Sequence, residues 1–487
     1  MAFSVRRGLA WMTLSQGGLV VMQFGASLVL ARLLTPYETG VFAVAAAMAG
    51  LLGMLRTIGL SNYVIRAPAI DAAFLAGVFT INVVLSAAVS MLIVAMSLLG
   101  GHLLGEPGVR DVLLLLAVVP LLACLELLPA ACTEREGNFR PIAMINLGRH
   151  LVATTAMLGF VIAGHSYMSL AYGQVAGAVV AAVAINIVGR RFASLRMSLR
   201  GWRDITRYGL DMLATTGIAN MHLRLLDVIL GWMLGLHALG IYARAAGLVM
   251  MLWENFQAIM MRVLFVDLVA QRRMGLSFRH TYLRMMGINT ALLWPAFGGL
   301  AVVSGPVLLT LYGEQWVGGA PVLSLLSISA LIGTTLLMAW EIFLALEQTR
   351  RLAKFQAAQC LAGAVMFTVG CLGGIAGAAG ARICEAVFAG VLYRPHLARM
   401  AEVNRGDILP ILGRSAVLTL LAIAPAAVVM AMHDWSPHAP LLQVLPAVAL
   451  GVVGWAVGLW QFDHALYQEA RRMAGRLGGS AVPGATK

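Results

Sequence analysis

The stretch Leu30-Ala-Arg-Leu-Leu-Thr-Pro-Tyr-Glu-Thr-Gly40-Val-Phe-Ala43 returns later in the chain as Leu230-Gly-Trp-Met-Leu-Gly-Leu-His-Ala-Leu-Gly240-Ile-Tyr-Ala243. Aligned without a gap, Leu30/Leu230, Leu34/Leu234, Gly40/Gly240 and Ala43/Ala243 are identical, and Val41/Ile241 and Phe42/Tyr242 are close. Each copy closes one long apolar run and opens the next. The chain therefore reads as two related lobes that can rock against each other around a central cavity.

Of the 487 residues, 60% are hydrophobic and 11% charged, with a mean hydropathy of +0.87, far outside the range of a soluble domain. The expected fold class is an all-α polytopic membrane protein. Apolar runs of about 20 residues, enough to cross a bilayer, recur from 10–31 to 441–462 and number about fourteen. They divide into two pseudo-symmetric six-helix lobes and two C-terminal helices. The expected layout is an N-lobe at 1–189, an amphipathic cytoplasmic linker at 190–209, a C-lobe at 210–400, the last two helices at 401–463 and a cytoplasmic tail at 464–487. Only a Gly-Ala run separates the eleventh and twelfth runs, 356–373 and 377–393, and merging them would lower the count by one.

Loop charge tests the count independently, because Lys and Arg concentrate on the cytoplasmic side. With Arg6 and Arg7 inside, the even-numbered connections carry Arg66, Arg135, Arg140, Arg190 to Arg207, Arg272, Arg273, Arg279, Arg350, Arg351, Lys354, Arg394, Arg399 and Arg405, and the tail Arg471, Arg472 and Arg476. The opposite loops hold little beyond Arg32 and Arg110. This asymmetry places both termini in the cytoplasm. The net charge of +13 is then topology, not a nucleic-acid footprint, since no aromatic-basic module accompanies it. The first run is full length, with no short cleavable signal, so it is expected to stay in the protein.

Several chemistries are excluded. The five cysteines, Cys124, Cys132, Cys360, Cys371 and Cys384, fall in or at the ends of apolar runs without C-x-x-C spacing, and read as small buried packing residues. The ten histidines show no H-x-x-H pattern, so no metal site is expected. No phosphate-binding loop of the G-x-x-x-x-G-K-[ST] type exists, no cofactor is implied, and no nucleophile-base pair can be identified.

Polar residues inside apolar runs are costly, which makes each a site candidate. The first run carries Gln16, Gln23 and Ser27 on one helical face; the seventh carries Thr216, Asn220, Arg224 and Asp227 on another. The repeat maps Gln16 onto Thr216 and Ser27 onto Asp227. Both stripes could line a shared cavity, or Arg224 and Asp227 could simply satisfy each other at i,i+3. Arg56, Arg149, Arg244, Arg382 and Arg414 also lie in or at the ends of runs, alongside Glu126, Glu254, Glu341 and Glu385. That slight excess of arginine suits an anionic ligand, which arginine engages with two donors at once. Arg149 and Arg414, near cytoplasmic ends, are expected to snorkel to headgroups. Arg244 and Arg382, towards the outer ends, stay among the candidates with Arg56. The connector from Arg190 to Tyr208, with Arg196, Arg200, Arg203 and Arg207 opposite Phe192, Leu195, Leu199, Trp202 and Ile205, reads as an amphipathic helix at the membrane interface, in contact with membrane lipids, or as a plain basic connector.

These motifs resemble a known family. The segment Leu30-Ala31-Arg32-Leu33-Leu34-Thr35-Pro36 through Gly40, with Ile58-Gly59-Leu60 after it, is similar to the opening of the polysaccharide transporter family, the Wzx-type flippases of the multidrug/oligosaccharidyl-lipid/polysaccharide exporter superfamily. Asp227 with Leu234, Gly240 and Tyr242 resembles its second-lobe signature, and Leu311-Tyr-Gly-Glu-Gln-Trp316 through Ala320 its outer loop. The resemblance runs from about residue 8 to 400; beyond 410, hydropathy alone supports it. It implies a V-shaped pair of six-helix bundles with two extra helices, which moves an isoprenyl-pyrophosphate-linked oligosaccharide across the bacterial inner membrane by alternating access, for surface or exopolysaccharide biosynthesis. A polysaccharide polymerase and chain-length machinery would be further partners, nucleic acid would not, and no enzymatic step is required. The rival readings are a multidrug or lipid-II exporter of the same superfamily, or a membrane-bound polysaccharide polymerase or ligase. The short, nearly uncharged outer connections argue against the last.

Overall fold

The computed structural model describes residues 2–468 and 471, except 57, 58, 68, 104, 105, 193–195, 199–201, 274–276, 337, 347 and 463; side chains are also left undescribed at 2–16, 19, 99–103, 204, 208–220, 258–273, 344, 345 and 349. Among the described residues there are helices and no strands. In chain order they are α1 (Ala2–Leu33), α2 (Pro36–Gly53), α3 (Leu60–Arg66), α4 (Ala72–Leu103), α5 (Pro107–Leu116), α6 (Val118–Arg135), α7 (Phe139–Ile162), α8 (Met168–Val188), α9 (Trp202–Arg273), α10 (Arg279–Val302), α11 (Ser304–Tyr312), α12 (Ala320–Gly333), α13 (Ala339–Ala345), α14 (Thr349–Cys371), α15 (Gly374–Met400), α16 (Arg405–Met432) and α17 (Leu441–Gln461). Helix is the one answer open to a single chain crossing lipid without closing a barrel, because each backbone group finds its partner within its own segment.

Among the described residues, twelve stretches are long and apolar enough to span a membrane. Two details lead from twelve to fourteen. The first helix contributes the shorter apolar segment Val20–Leu33, and the single stretch Met221–Gln257 contains two runs joined at Gly235. Gly235, at φ 82° and ψ 170°, breaks α9 in a conformation open essentially to glycine alone. The doubtful eleventh and twelfth runs are two helices, not one. Gly374 turns the chain at φ 74°, and a Cβ on Gly370 would lie 2.6 Å from the Gly377 carbonyl oxygen, so two glycines let α14 and α15 meet backbone to backbone.

By packing, the chain forms two units, Met1–Ala243 and Arg244–Lys487. In the first, the turn before α2 is fixed locally. Thr35 N–H donates to Glu38 Oε2 at 2.7 Å, Glu38 N–H donates to Thr35 Oγ1 at 3.3 Å, and Pro36 opens the helix, a capping box with proline at its start. The second copy of the repeat turns on Gly235 instead, and it packs against the first. A Cβ on Gly40 would strike the Leu236 carbonyl oxygen, and one on Gly240 would strike that of Pro36. Position 36 corresponds to 236 and 40 to 240, so the contact is reciprocal, as at a two-fold axis.

In the second unit α10 is the post on which the C-terminal helices lean. Thr290 and Ser415 join α10 to α16 at 2.7 Å, and Trp455 of α17 donates its indole N–H to the Ala291 carbonyl at 2.8 Å. The helix pair beyond residue 400 therefore packs as part of this unit. Large apolar side chains such as Leu372, Val391 and Leu442 stand exposed on the outer faces, as helices apolar all round require when lipid is the surroundings.

Two expectations are corrected. The connector is not one amphipathic helix, because a 3-10 turn covers Arg190–Phe192, residues 196–198 are non-helical, and α9 begins at Trp202. Ser198 N–H donates instead to the Thr80 hydroxyl at 2.8 Å, a tertiary bond that replaces a helical one. Of the cysteines, Cys124, Cys132 and Cys371 are buried, Cys360 is half-buried and Cys384 is exposed, because Cys384 sits on the outward side of α15 while its neighbour Glu385 faces in.

Candidate functional site

Charge gathers in the first unit where three helices converge. After Gly53, α2 tightens into a 3-10 turn, Met54–Arg56, which ends on a half-buried arginine. Arg56 lies near enough to Glu126 of α6 and Arg149 of α7 for all three charges to act on one another. Arg149 and Glu126 form an ion pair through Nη2 and Oε2, with side chains 34% and 17% exposed. Glu126 is nine residues from the end of α6 and Arg149 ten from the start of α7, about 14–15 Å along each helix axis. Gly177 of α8 makes room for Arg149, since a Cβ there would lie 2.9 Å from its carbonyl oxygen and 3.4 Å from its Cγ.

The cluster is unfinished in two ways. Two arginines face one glutamate, leaving one positive charge. Arg149 Nε and Glu126 Oε1 are buried with no hydrogen-bond partner among the described residues, and no hydrogen bond or ion pair among them holds Arg56. A buried donor left empty costs about 1–3 kcal/mol. An anion arriving here would find an unspent cation and an open N–H. At an effective dielectric of about 20, each cation within about 4 Å of a phosphate oxygen contributes roughly 4 kcal/mol before desolvation.

The other candidates fall elsewhere. Arg224 is exposed and lies across Gly50 of α2, its Nε 3.3 Å from where a Cβ would stand, six residues before Arg56. Among the described residues no ion pair joins it to Asp227, which is half-buried with interactions of its own. Ser27 is half-buried and Gln23 exposed, while the side chains of Gln16, Asn220 and Thr216 lie outside the described residues. In the second unit Arg382 pairs with Glu385, which also accepts from Gln359 at 3.2 Å, and the Arg382 carbonyl accepts from Ser329 at 2.8 Å. Arg244 is enclosed by aromatic rings, 5.4 Å from Tyr312 and 5.1 Å from Trp316, a cation–π arrangement. Trp316, 1% exposed, is the tryptophan of the outer-loop motif. That motif thus anchors Arg244 within unit two.

Arg149 departs from the expectation that its place near a cytoplasmic end sets. Instead of snorkelling to headgroups, it pairs with Glu126. The signal was present in the sequence, because α6 and α7 are antiparallel neighbours across the turn at Gly137, and two opposite charges stand at nearly equal distances from that turn.

A chain whose described residues form helices, with this many spanning segments and a half-buried cationic cluster, has the build of a polytopic membrane protein. Residues 29–321 match the family model described as polysaccharide biosynthesis protein, and the chain belongs to that family, in keeping with its resemblance to the Wzx-type transporters. It is 28% identical over 342 residues to the succinoglycan biosynthesis transport protein ExoT of Rhizobium meliloti (strain 1021), covering 67% of this chain and 66% of that one. To the lipopolysaccharide biosynthesis protein WzxC of Escherichia coli (strain K12) it is 23% identical over 330 residues, with the same coverage. The matched stretch thus spans just under two thirds of these relatives. In fold, the chain is similar to a structure of the lipid II flippase MurJ in an inward closed conformation, with a TM-score of 0.77 and 12% identity, covering 93% of this chain and 98% of that one. It is also similar to an inward-facing multidrug resistance MATE family transporter, with a TM-score of 0.58 and 13% identity, covering 79% and 96%.

Proposed function

We propose that this chain is a flippase that carries an isoprenyl-pyrophosphate-linked oligosaccharide across the bacterial inner membrane by alternating access, supplying surface or exopolysaccharide synthesis. The observation that carries this reading is the incomplete cluster of Arg56, Glu126 and Arg149 inside the spanning helices of a polysaccharide biosynthesis protein. Its surplus cation and buried empty donor fit a pyrophosphate. Arg224 of α9, lying against Gly50 of α2, extends the cationic surface, while Gln16, Gln23, Ser27, Asn220 and Asp227 meet the sugar. The lipid tail stays in the bilayer between helices. In this reading the lobes 1–189 and 210–400 move relative to each other, and both termini face the cytoplasm.

No covalent step is required. Movement needs only a difference in affinity between two states, and about 5.5 kcal/mol swings a population from 1:99 to 99:1. The test is deletion of the gene, with lipid-linked repeat units assayed by leaflet. Accumulation on the inner leaflet, relieved by the wild-type chain, is the expected result. Normal export in the deletion strain, or relief of a lipid-II or drug-efflux defect instead, would overturn the reading.

A further inference from the structure

One acid in the second unit has no place in the cycle proposed above. Glu341 is 1% exposed, and both its carboxyl oxygens are buried with no hydrogen-bond partner among the described residues. Its counterparts are served differently: Glu126 has Arg149, and Glu385 has Arg382 and Gln359. The polar group that does act on Glu341 is the backbone N–H of its own residue.

The surroundings explain the isolation. Ala339, Ile342 and Phe343, next to it on α13, belong to an apolar cluster closed by Tyr282 of α10 and Tyr393 of α15, and α13 packs on α14 and α15. Of the charges these elements carry, Arg351 and Arg399 act on His396 and Arg394 on Tyr282, Arg382 pairs with Glu385, Arg350 and Lys354 are exposed, and Arg284 of α10 has interactions of its own. On α16, Asp407 is taken by Arg279 of α10 at 2.8 Å. An unhydrated, unpaired carboxylate is among the least tolerable groups a membrane interior can hold, whereas the neutral acid is tolerated. A metal cation would need several oxygen ligands, and among the described residues no group of three or more His, Cys, Asp or Glu side chains could hold one.

We propose that Glu341 is a proton-binding site, loaded in the conformation seen here and emptied when the α13 segment opens to water. The setting allows both halves. Glu341 stands four residues before the end of α13, and the exposed Arg350 and Arg351 follow within ten residues of it, so the path to the aqueous phase is short. Between α12 and α13 the chain passes through a 3-10 turn at Thr334–Leu336, a joint about which a seven-residue helix can swing. Emptying the site leaves a charge that the apolar cluster cannot house, so deprotonation favours the opened arrangement. Coupling of that step to transport rests on the flippase reading; proton binding itself does not.

The test uses the full-length chain in lipid vesicles and the apolar reagent dicyclohexylcarbodiimide, which reacts with protonated carboxyl groups. A reagent adduct on Glu341, located by peptide mass spectrometry, falling away at alkaline pH and absent from Glu341→Gln, is expected. Glu341→Gln, a neutral isostere, should reach normal abundance while export loses its dependence on pH. An unlabelled Glu341, or a pH profile of export in Glu341→Gln matching the wild type, would overturn the proposal. If the wild type moves no lipid-linked oligosaccharide, the flippase reading fails while the labelling still decides proton binding.

Discussion

The ion pairs Arg149–Glu126 and Arg382–Glu385 both lie within spanning helices, yet one is open and the other closed. Glu385 uses both oxygens, accepting from Arg382 on one and Gln359 on the other. Glu126 uses one, Arg149 leaves its Nε empty, and Arg56 adds a charge with no counterpart. A balanced pair is a way to bury charge; an unbalanced one is a way to wait for it. Removing both members distinguishes the two, since deleting a pair avoids the penalty of orphaning one partner.

The largest effects come from breaking the pairs singly. Arg149→Ala removes the bonded partner of Glu126 and leaves the unbonded Arg56 as the charge acting on it, at the low end of the roughly 3–5 kcal/mol that breaking a buried pair costs, because the Arg149 side chain is 34% exposed. Membrane abundance should fall, as should abundance in Arg382→Ala. The double changes should then part company. Arg382→Ala with Glu385→Ala should recover both abundance and export, while Arg149→Ala with Glu126→Ala should recover abundance alone. Recovery of export by the second double variant would show the first cluster to be as structural as the other.

Arg56 sharpens the same contrast with a smaller perturbation. Arg56→Ala removes a charge that nothing in the fold neutralises through a direct bond, so abundance should hold. Export should fall about 10- to 100-fold, the loss of one charge-assisted hydrogen bond of roughly 1.5–3 kcal/mol. Arg56→Lys should restore part of it, because the charge returns without the paired donors. Quantified surface polymer against immunoblotted protein reads both, and a drop in abundance matching the drop in export would return Arg56 to a packing role.

The repeat yields the next step down. Gly40→Ala and Gly240→Ala each push a methyl into a backbone carbonyl across one reciprocal contact, so their thermal destabilisation should be equal, about 1–3 kcal/mol. Gly50→Ala meets only the flexible Arg224 side chain at 3.3 Å and should cost much less. Unequal effects at 40 and 240 would break the symmetry that the sequence alignment implies.

That symmetry was legible because it is carried by identities at fixed spacing, and the helices were legible because hydropathy alone decides which segments span a membrane. The site was legible only in part. Arg56 stands out as a charge in an apolar run, but Arg149 reads as a headgroup residue because distance from a helix end measures depth and says nothing about a partner on the next helix. The same depth rule selects Arg244 and Arg382, and the structure sets them against Tyr312 with Trp316 and against Glu385. The connector misled for a related reason. Its basic-apolar periodicity fits a helix, but the Thr80 hydroxyl on a distant helix takes the Ser198 N–H, and a tertiary bond leaves no trace in local spacing.

Arg224 carries the smallest expected effect and the finest discrimination. It is exposed, lies over Gly50 and has no ion pair with Asp227 among the described residues. Arg224→Ala should therefore leave abundance unchanged and lower export by a few-fold, less than Arg56→Ala, because an exposed cation is screened by water and salt. Were the two residues a mutually neutralising pair, Arg224→Ala with Asp227→Ala would rescue either single variant. With no such pair, the double variant should recover no export over either single variant. Export measured in the two single variants and the double variant at matched abundance decides it. Rescue in the double variant would remove Arg224 from the anion site and leave Arg56 and Arg149 to hold it alone.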